Sequence, residues 1–175
     1  MSFRSYNKTA PVWGDLGVQK NVSDFHIHNL DFMYEVIGSP EEVYSNSIDI
    51  GEQSIVRSVF KYKDKVALAE SHTNLPEGSP FLVGFELVCE NGTIKLEAAY
   101  AEETKERLVL YRNDGSETLL NPEVKDDYEE VIKHVRHCLD NGVKSDLLDV
   151  TQAMASLKMK DRILESLALG ECVKA

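Results

Sequence analysis

The chain has 175 residues, 30 acidic against 19 basic side chains, and a formal net charge of −11. That length builds one domain with a sizeable core, burying roughly 70% of the unfolded surface, and no Lys/Arg cluster is present to neutralise phosphates, which argues against a nucleic-acid partner. No apolar run approaches the roughly 20 residues of a membrane span, Met1-Ser2-Phe3-Arg4-Ser5 lacks the apolar core of a signal peptide, and Cys89, Cys138 and Cys172 lack CxxC spacing; the expectation is a soluble, cytoplasmic chain with its cysteines reduced and packed.

The first 20 residues show little periodicity and read as an irregular lead-in. A helix is expected over 23–37, with Ser23 as N-cap and Asp24 at the positive end of the dipole. Phe25, Leu30, Phe32, Met33, Val36 and Ile37 form its apolar stripe, and Gly38 and Pro40 stop it. Six strands follow, over 43–48, 55–62, 66–73, 81–89, 93–99 and 108–112. Lys63-Asp64 and Asn91-Gly92 are tight hairpin links, so consecutive strands are antiparallel. A helix over 125–141 carries Val124, Tyr128, Val131, Val135 and Cys138 or Leu139 at heptad-like spacing and ends at Gly142. A last helix over 149–169 buries Ala153, Met154, Leu157, Ile163, Leu164 and Leu167, and residues 171–173 can add a short terminal strand. Helix, strands and then two helices predict an α+β layer architecture, a largely antiparallel sheet of about six strands with helices on one face.

One polar cluster stands out. Asp24, His28, Asp31 and Glu35 sit at i, i+4, i+7 and i+11, one face of an α-helix. A carboxylate one turn before a His can orient the ring and favour its charged form, which suits a general base. A solvated face with ordinary i,i+4 pairs has the same spacing. His26 and His28, two apart on a helix, point in different directions and make a poor metal pair. His134 and His137 have no third ligand at suitable spacing. No GxGxxG, GxxxxGK[ST] or GxSxG occurs, so the chain carries no dinucleotide, P-loop or serine-hydrolase fingerprint.

The stretch from Trp13 through Ser23-Asp24-Phe25-His26-Ile27-His28-Asn29-Leu30-Asp31 to Gly38-Ser39-Pro40-Glu41-Glu42-Val43 resembles the start of the C-terminal, substrate-binding domain of the Gfo/Idh/MocA oxidoreductases. Tyr128 to Val135, Asn141-Gly142 and Ala153 to Gly170-Glu171 are similar to that family's closing helices. The resemblance implies a glyceraldehyde-3-phosphate dehydrogenase C-terminal-domain-like fold whose open sheet face serves homodimer or tetramer association. It implies hydride transfer from a hydroxyl-bearing carbon of a sugar, cyclitol or similar polyol to NAD or NADP. His28 matches the acid/base and Asp24 its supporting carboxylate. Asp31, His26 and Trp13 are the further substrate-contact candidates. The cofactor belongs to an N-terminal Rossmann domain that these 175 residues do not contain, so this chain alone is expected to hold none, to bind no metal and to be inactive.

Two departures stand out. Where the family often has a small residue between the Asp and the His, this chain has Phe25-His26-Ile27, and where it often has a Gly pair, this chain has Asn21-Val22. Small residues there let backbone and ligand approach, so bulk at His26 predicts an altered substrate pose. The competing expectation is a non-catalytic α+β module for dimerisation or small-ligand binding. Asp24 and His28 pointing into bulk solvent, away from any concavity, would remove the catalytic assignment.

Overall fold

The computed structural model describes the chain apart from residues 11–13, 15, 121–124 and 146 and the side chains of residues 127 and 152. It is an α+β fold built on a nine-stranded sheet. Strand β1 (Ser2–Lys8) leads into a continuous helical run: α1 (Val18–Lys20), a π-helical stretch (Asn21–His26) and α2 (Ile27–Ile37). Then come β2 (Glu42–Ile50), β3 (Gln53–Lys61), β4 (Val66–His72), β5 (Phe81–Cys89), β6 (Gly92–Tyr100), β7 (Lys105–Arg112) and β8 (Glu117–Leu119). Helices α3 (Asp127–Asn141) and α4 (Val150–Leu169) precede β9 (Val173–Lys174).

The strand order is β8-β7-β6-β5-β1-β4-β3-β2-β9. Every pairing is antiparallel except β1 with β4. The opening residues are therefore no lead-in but the seam between two antiparallel halves. Their inward side chains are Phe3, Ser5 and Asn7, all buried, while Arg4, Tyr6 and Lys8 take the other face. Polar residues at two inward positions hid the alternation. The sheet thus has more strands than the six expected, because β1 and the short β8 gave no apolar signal.

The inner face of the sheet is a trough of small side chains. Ser45, Ser58, Ala69 and Ser5 are successive cross-strand partners, with Ser71 beside Asn7 in the next row. The helical run lies over this trough, and α4 packs on α2 and β2. Val22, Leu30, Met33, Val43, Phe60 and Ile163 form the centre of the core. At about 25 cal/mol per Å² of apolar surface, burying each large side chain of this kind contributes roughly 1.5–3 kcal/mol.

Helix ends follow the sequence signals for α3 and α4. Asp126 Oδ1 accepts from Glu129 N at 2.8 Å, and Asp149 Oδ1 from Thr151 N at 2.6 Å. Gly142 and Gly170 take the left-handed conformation just past each end. The first helix differs: Ser23 lies inside the π-helical stretch and caps nothing. The stripe on α3 also differs, because Tyr128 is 83% exposed and Leu139 76%. Val124, expected on the same stripe, lies outside the described residues. Cys89 and Cys172 are exposed at strand ends rather than packed in the core.

Candidate functional site

A helix with i→i+5 bonding widens by one residue per turn and leaves backbone groups to be satisfied from outside. Here the sheet does so: Asn7 Nδ2 donates to Phe25 O at 2.7 Å. That bond also fixes the Asn7 amide, since a carbonyl can only accept. Asn7 Oδ1 is therefore the acceptor turned toward Ser71 and Asn29, receiving Ser71 Oγ at 2.6 Å and Asn29 Nδ2 at 2.9 Å.

His26 enters the same network from the helix. It is 0% exposed, with Nδ1 2.7 Å from Ser71 Oγ and Nε2 3.0 Å from Ser58 Oγ. Ser71 gives its one hydrogen to Asn7, so His26 Nδ1 must carry the proton and donate to Ser71. Nε2 then accepts from Ser58, whose oxygen accepts in turn from Ser45 Oγ at 2.9 Å. The donors run one way, from Ser45 to Asn7. The ring is neutral: burial pushes its pKa down to about 3. His26 is thus a core histidine; its ring fills the trough and is not among the residues lining the cavity with Asp24 and His28.

The π turn delivers Asp24 and His28 to one place. Both are exposed, and both line a cavity of about 870 Å³ between the helical run and the inner face of β1, β5 and β6. Phe25 and Phe32 from the helix and Phe81 and Phe85 from β5 form its walls, with Phe25–Phe81 centroids 5.8 Å apart and Phe32–Phe85 4.9 Å. Ser5, Asn7 and Asn29 supply polar groups to its lining, and Tyr128 of α3 stands against it. The cavity is largely apolar with a few convergent polar groups, the usual make-up of a small-molecule site. No hydrogen bond joins Asp24 to His28.

Asp31 sits one turn further on, beside a smaller cavity of about 260 Å³ that it shares with His28 and Leu147. Its carboxylate accepts from Ser156 Oγ at 2.9 Å and so ties α2 to α4. Trp13 lies outside the described residues. His134 bonds Ser145 Oγ through Nε2 at 2.7 Å. Among the described residues no three His, Cys, Asp or Glu side chains are grouped to hold a metal. Sequence reasoning missed Ser5, Asn7 and Asn29. The available signal was an Asn inside a helix next to His28, a residue that competes with helical bonding unless something holds it.

No family model and no curated protein sequence matches the chain. Solved structures do match in shape. A putative NADPH-dependent oxidoreductase from Desulfitobacterium hafniense superimposes with a TM-score of 0.81 at 11% identity, over 99% of this chain and 56% of that one. A UDP-N-acetylglucosamine 3-dehydrogenase from Acidithiobacillus ferrooxidans gives 0.79 at 10% identity, over 95% and 53%. A dehydrogenase from Clostridium difficile gives 0.75 at 13%, over 95% and 55%. The likeness at these identities is one of fold, the α+β open sheet of glyceraldehyde-3-phosphate dehydrogenase C-terminal-domain type. The chain spans little more than half the length of each of these solved chains.

Proposed function

We propose that this chain is the substrate-side domain of a nicotinamide-dependent oxidoreductase of the Gfo/Idh/MocA kind, acting on a hydroxyl-bearing carbon of a sugar, cyclitol or similar polyol. The observation that carries the reading is that Asp24 and His28 line one concave site on a fold shared with oxidoreductases of about twice the length.

Oxidising a carbinol removes a hydroxyl proton and a hydride. This chain's share is the proton. His28, at the cavity wall, takes it as general base and returns it as acid in the reverse direction. Asp24, on the same cavity wall, is its supporting carboxylate in this reading. The Phe walls exclude water and seat the ring, and Asn29 and Ser5 fix its edge. NAD or NADP supplies hydride acceptance when bound, but these residues do not fit it: the sequence has no Gly-rich phosphate turn, and the one parallel pair, β1 with β4, encloses the helical run that forms the cavity wall. The reading therefore assigns the cofactor to an N-terminal Rossmann domain. The exposed stripe of α3, where Tyr128 also borders the cavity, is its docking surface.

In a full-length protein containing this chain, His28→Asn is expected to lower kcat by roughly 10²–10⁴-fold with folding unchanged. An unaltered kcat overturns the assignment. This chain alone is expected to show no NAD(P)-linked turnover, and a catalytic rate from it overturns the domain-half reading. The absence of a hydrogen bond between Asp24 and His28 favours a second reading, a binding module that holds a polar ligand without chemistry. Turnover by the full-length protein separates the two.

A further inference from the structure

The hydrogen bonds around the cavity have a consequence for what the cavity can bind, one that rests on the proposed site but not on its chemistry. Asn29 Nδ2 donates to Asn7 Oδ1 at 2.9 Å and to Glu70 O at 3.1 Å, with Ser71 Oγ also at 3.1 Å. Both of its amide hydrogens are thereby committed into the sheet. Asn29 Oδ1 is left facing Ser5, whose single hydroxyl hydrogen it accepts at 2.6 Å. Ser5 can then only accept from a ligand, and Asn29 Oδ1 keeps a second acceptor position. One hydrogen of the Asn7 amide is the remaining donor on these three side chains. Asp24 adds a carboxylate at the wall. Among the described residues no Lys or Arg lines the cavity.

We propose that this cavity selects a neutral or cationic ring that presents hydroxyl or amine hydrogens along one edge and C–H groups to the phenylalanines, and that it rejects ligands bearing phosphate or carboxylate. The fixed acceptors match donors and oppose anions, whose charge meets Asp24 in a site with low-dielectric walls. Discrimination here comes from the repulsive element as much as the attractive one. An amine gains further from the aromatic faces.

Titration of the 175-residue chain by NMR tests this with three matched probes: methyl β-glucoside, glucosamine and glucose 6-phosphate. The first two are expected to give saturable shifts at Ser5, Asn29 and Phe85, with the phosphate ester at least tenfold weaker. Asp24→Asn, a substitution at an exposed side chain, is expected to bring the three within about threefold of one another. Phosphate binding equal to or tighter than the neutral ring overturns the proposal, as does a failure of all three, or an unchanged preference in Asp24→Asn. The readout uses no cofactor and no turnover. A selective but inactive protein sinks the oxidoreductase reading and leaves this one standing; an active but unselective one does the reverse.

Discussion

His26 concentrates the physics of this molecule in one ring. Removing it leaves the buried Ser58 hydroxyl without an acceptor for its hydrogen, at about 1–3 kcal/mol, while Ser71 loses one donor and keeps Asn7 and Asn29. His26→Leu is expected to destabilise the fold by roughly 1–3 kcal/mol in urea titration at pH 7, with the Asp24 and His28 positions unchanged in the NMR spectrum. The pH dependence has a definite sign. The folded pKa of about 3 lies below the unfolded value near 6.5, so the unfolded chain binds the proton first as pH falls. The stability contributed by neutral His26 is complete above about pH 6.5 and is lost progressively from there toward pH 3, by up to roughly 5 kcal/mol in all. His72, pushed down by burial and then by Lys8, acts in the same direction. Comparing wild type with His26→Leu between pH 7 and pH 4.5 isolates the His26 share: the variant is expected to show the flatter slope, and equal slopes contradict the buried neutral ring.

Among elements, the π-helical stretch and β1 depend on each other. The wider turn exposes the Phe25 carbonyl, and Asn7 of β1 is its partner. Asn7→Ala is expected to cost about 1–3 kcal/mol and to speed amide hydrogen exchange across residues 25–29, because the Phe25 carbonyl loses its donor from β1 and Ser71 and Asn29 lose their shared acceptor. Protection unchanged in that segment would mean that the π turn is held by the helix itself. A second test lies on the opposite face. A Cβ at Gly84 would overlap the Tyr6 ring and sit 2.6 Å from Leu96 O, so Gly84→Ala is expected to destabilise the β1–β5–β6 seam by roughly 1–3 kcal/mol, read as a lowered melting temperature. This pair of elements also marks where the sequence could be read and where it could not. Strands β2 to β7 were legible in apolar segments, turn signals and hairpin links, and α3 and α4 in apolar spacing and Gly stops. β1 did not, because its inward residues Ser5 and Asn7 look like surface. The π turn did not, because nothing local encodes it: it exists where a helix starting at Val18 meets partners from β1, β3 and β4. Asp24 and His28 were found on the assumption of an α-helical face, yet they reach one cavity through a turn of different pitch.

For the whole molecule, the outer face of the sheet is the surface on which self-association is to be tested. Its rows alternate in character. Tyr44, Val59 and Leu68 lie side by side across β2, β3 and β4, and the next row holds Asn46, Arg57 and Glu70. Glu70 is 3% exposed at its side chain and takes Arg4 Nε at 3.0 Å and Arg57 Nε at 2.9 Å. Burial alone would raise its pKa, but Arg4, Lys8 and Arg57 outweigh that and hold it below the ordinary carboxylate value. Two half-exposed arginines share this one carboxylate, so the cluster satisfies Glu70 and keeps a net positive charge at the face. Beyond it, Ile48 stays 57% exposed, Val59 43% and Tyr44 41%. The exposed apolar row is what a self-complementary two-fold interface can bury, with the charged row left toward its polar rim. We infer association through this face. Sedimentation at micromolar concentration is expected to show a dimer or larger species, and Val59→Glu is expected to shift it toward monomer while the far-UV spectrum and melting cooperativity stay intact. A chain that sediments as a monomer before substitution, or an assembly indifferent to Val59→Glu, removes the outer face from that role. The excess of 11 negative charges works against such contacts at low ionic strength. Added salt is therefore expected to strengthen the assembly, up to the point where screening is complete at a Debye length of roughly 3 Å.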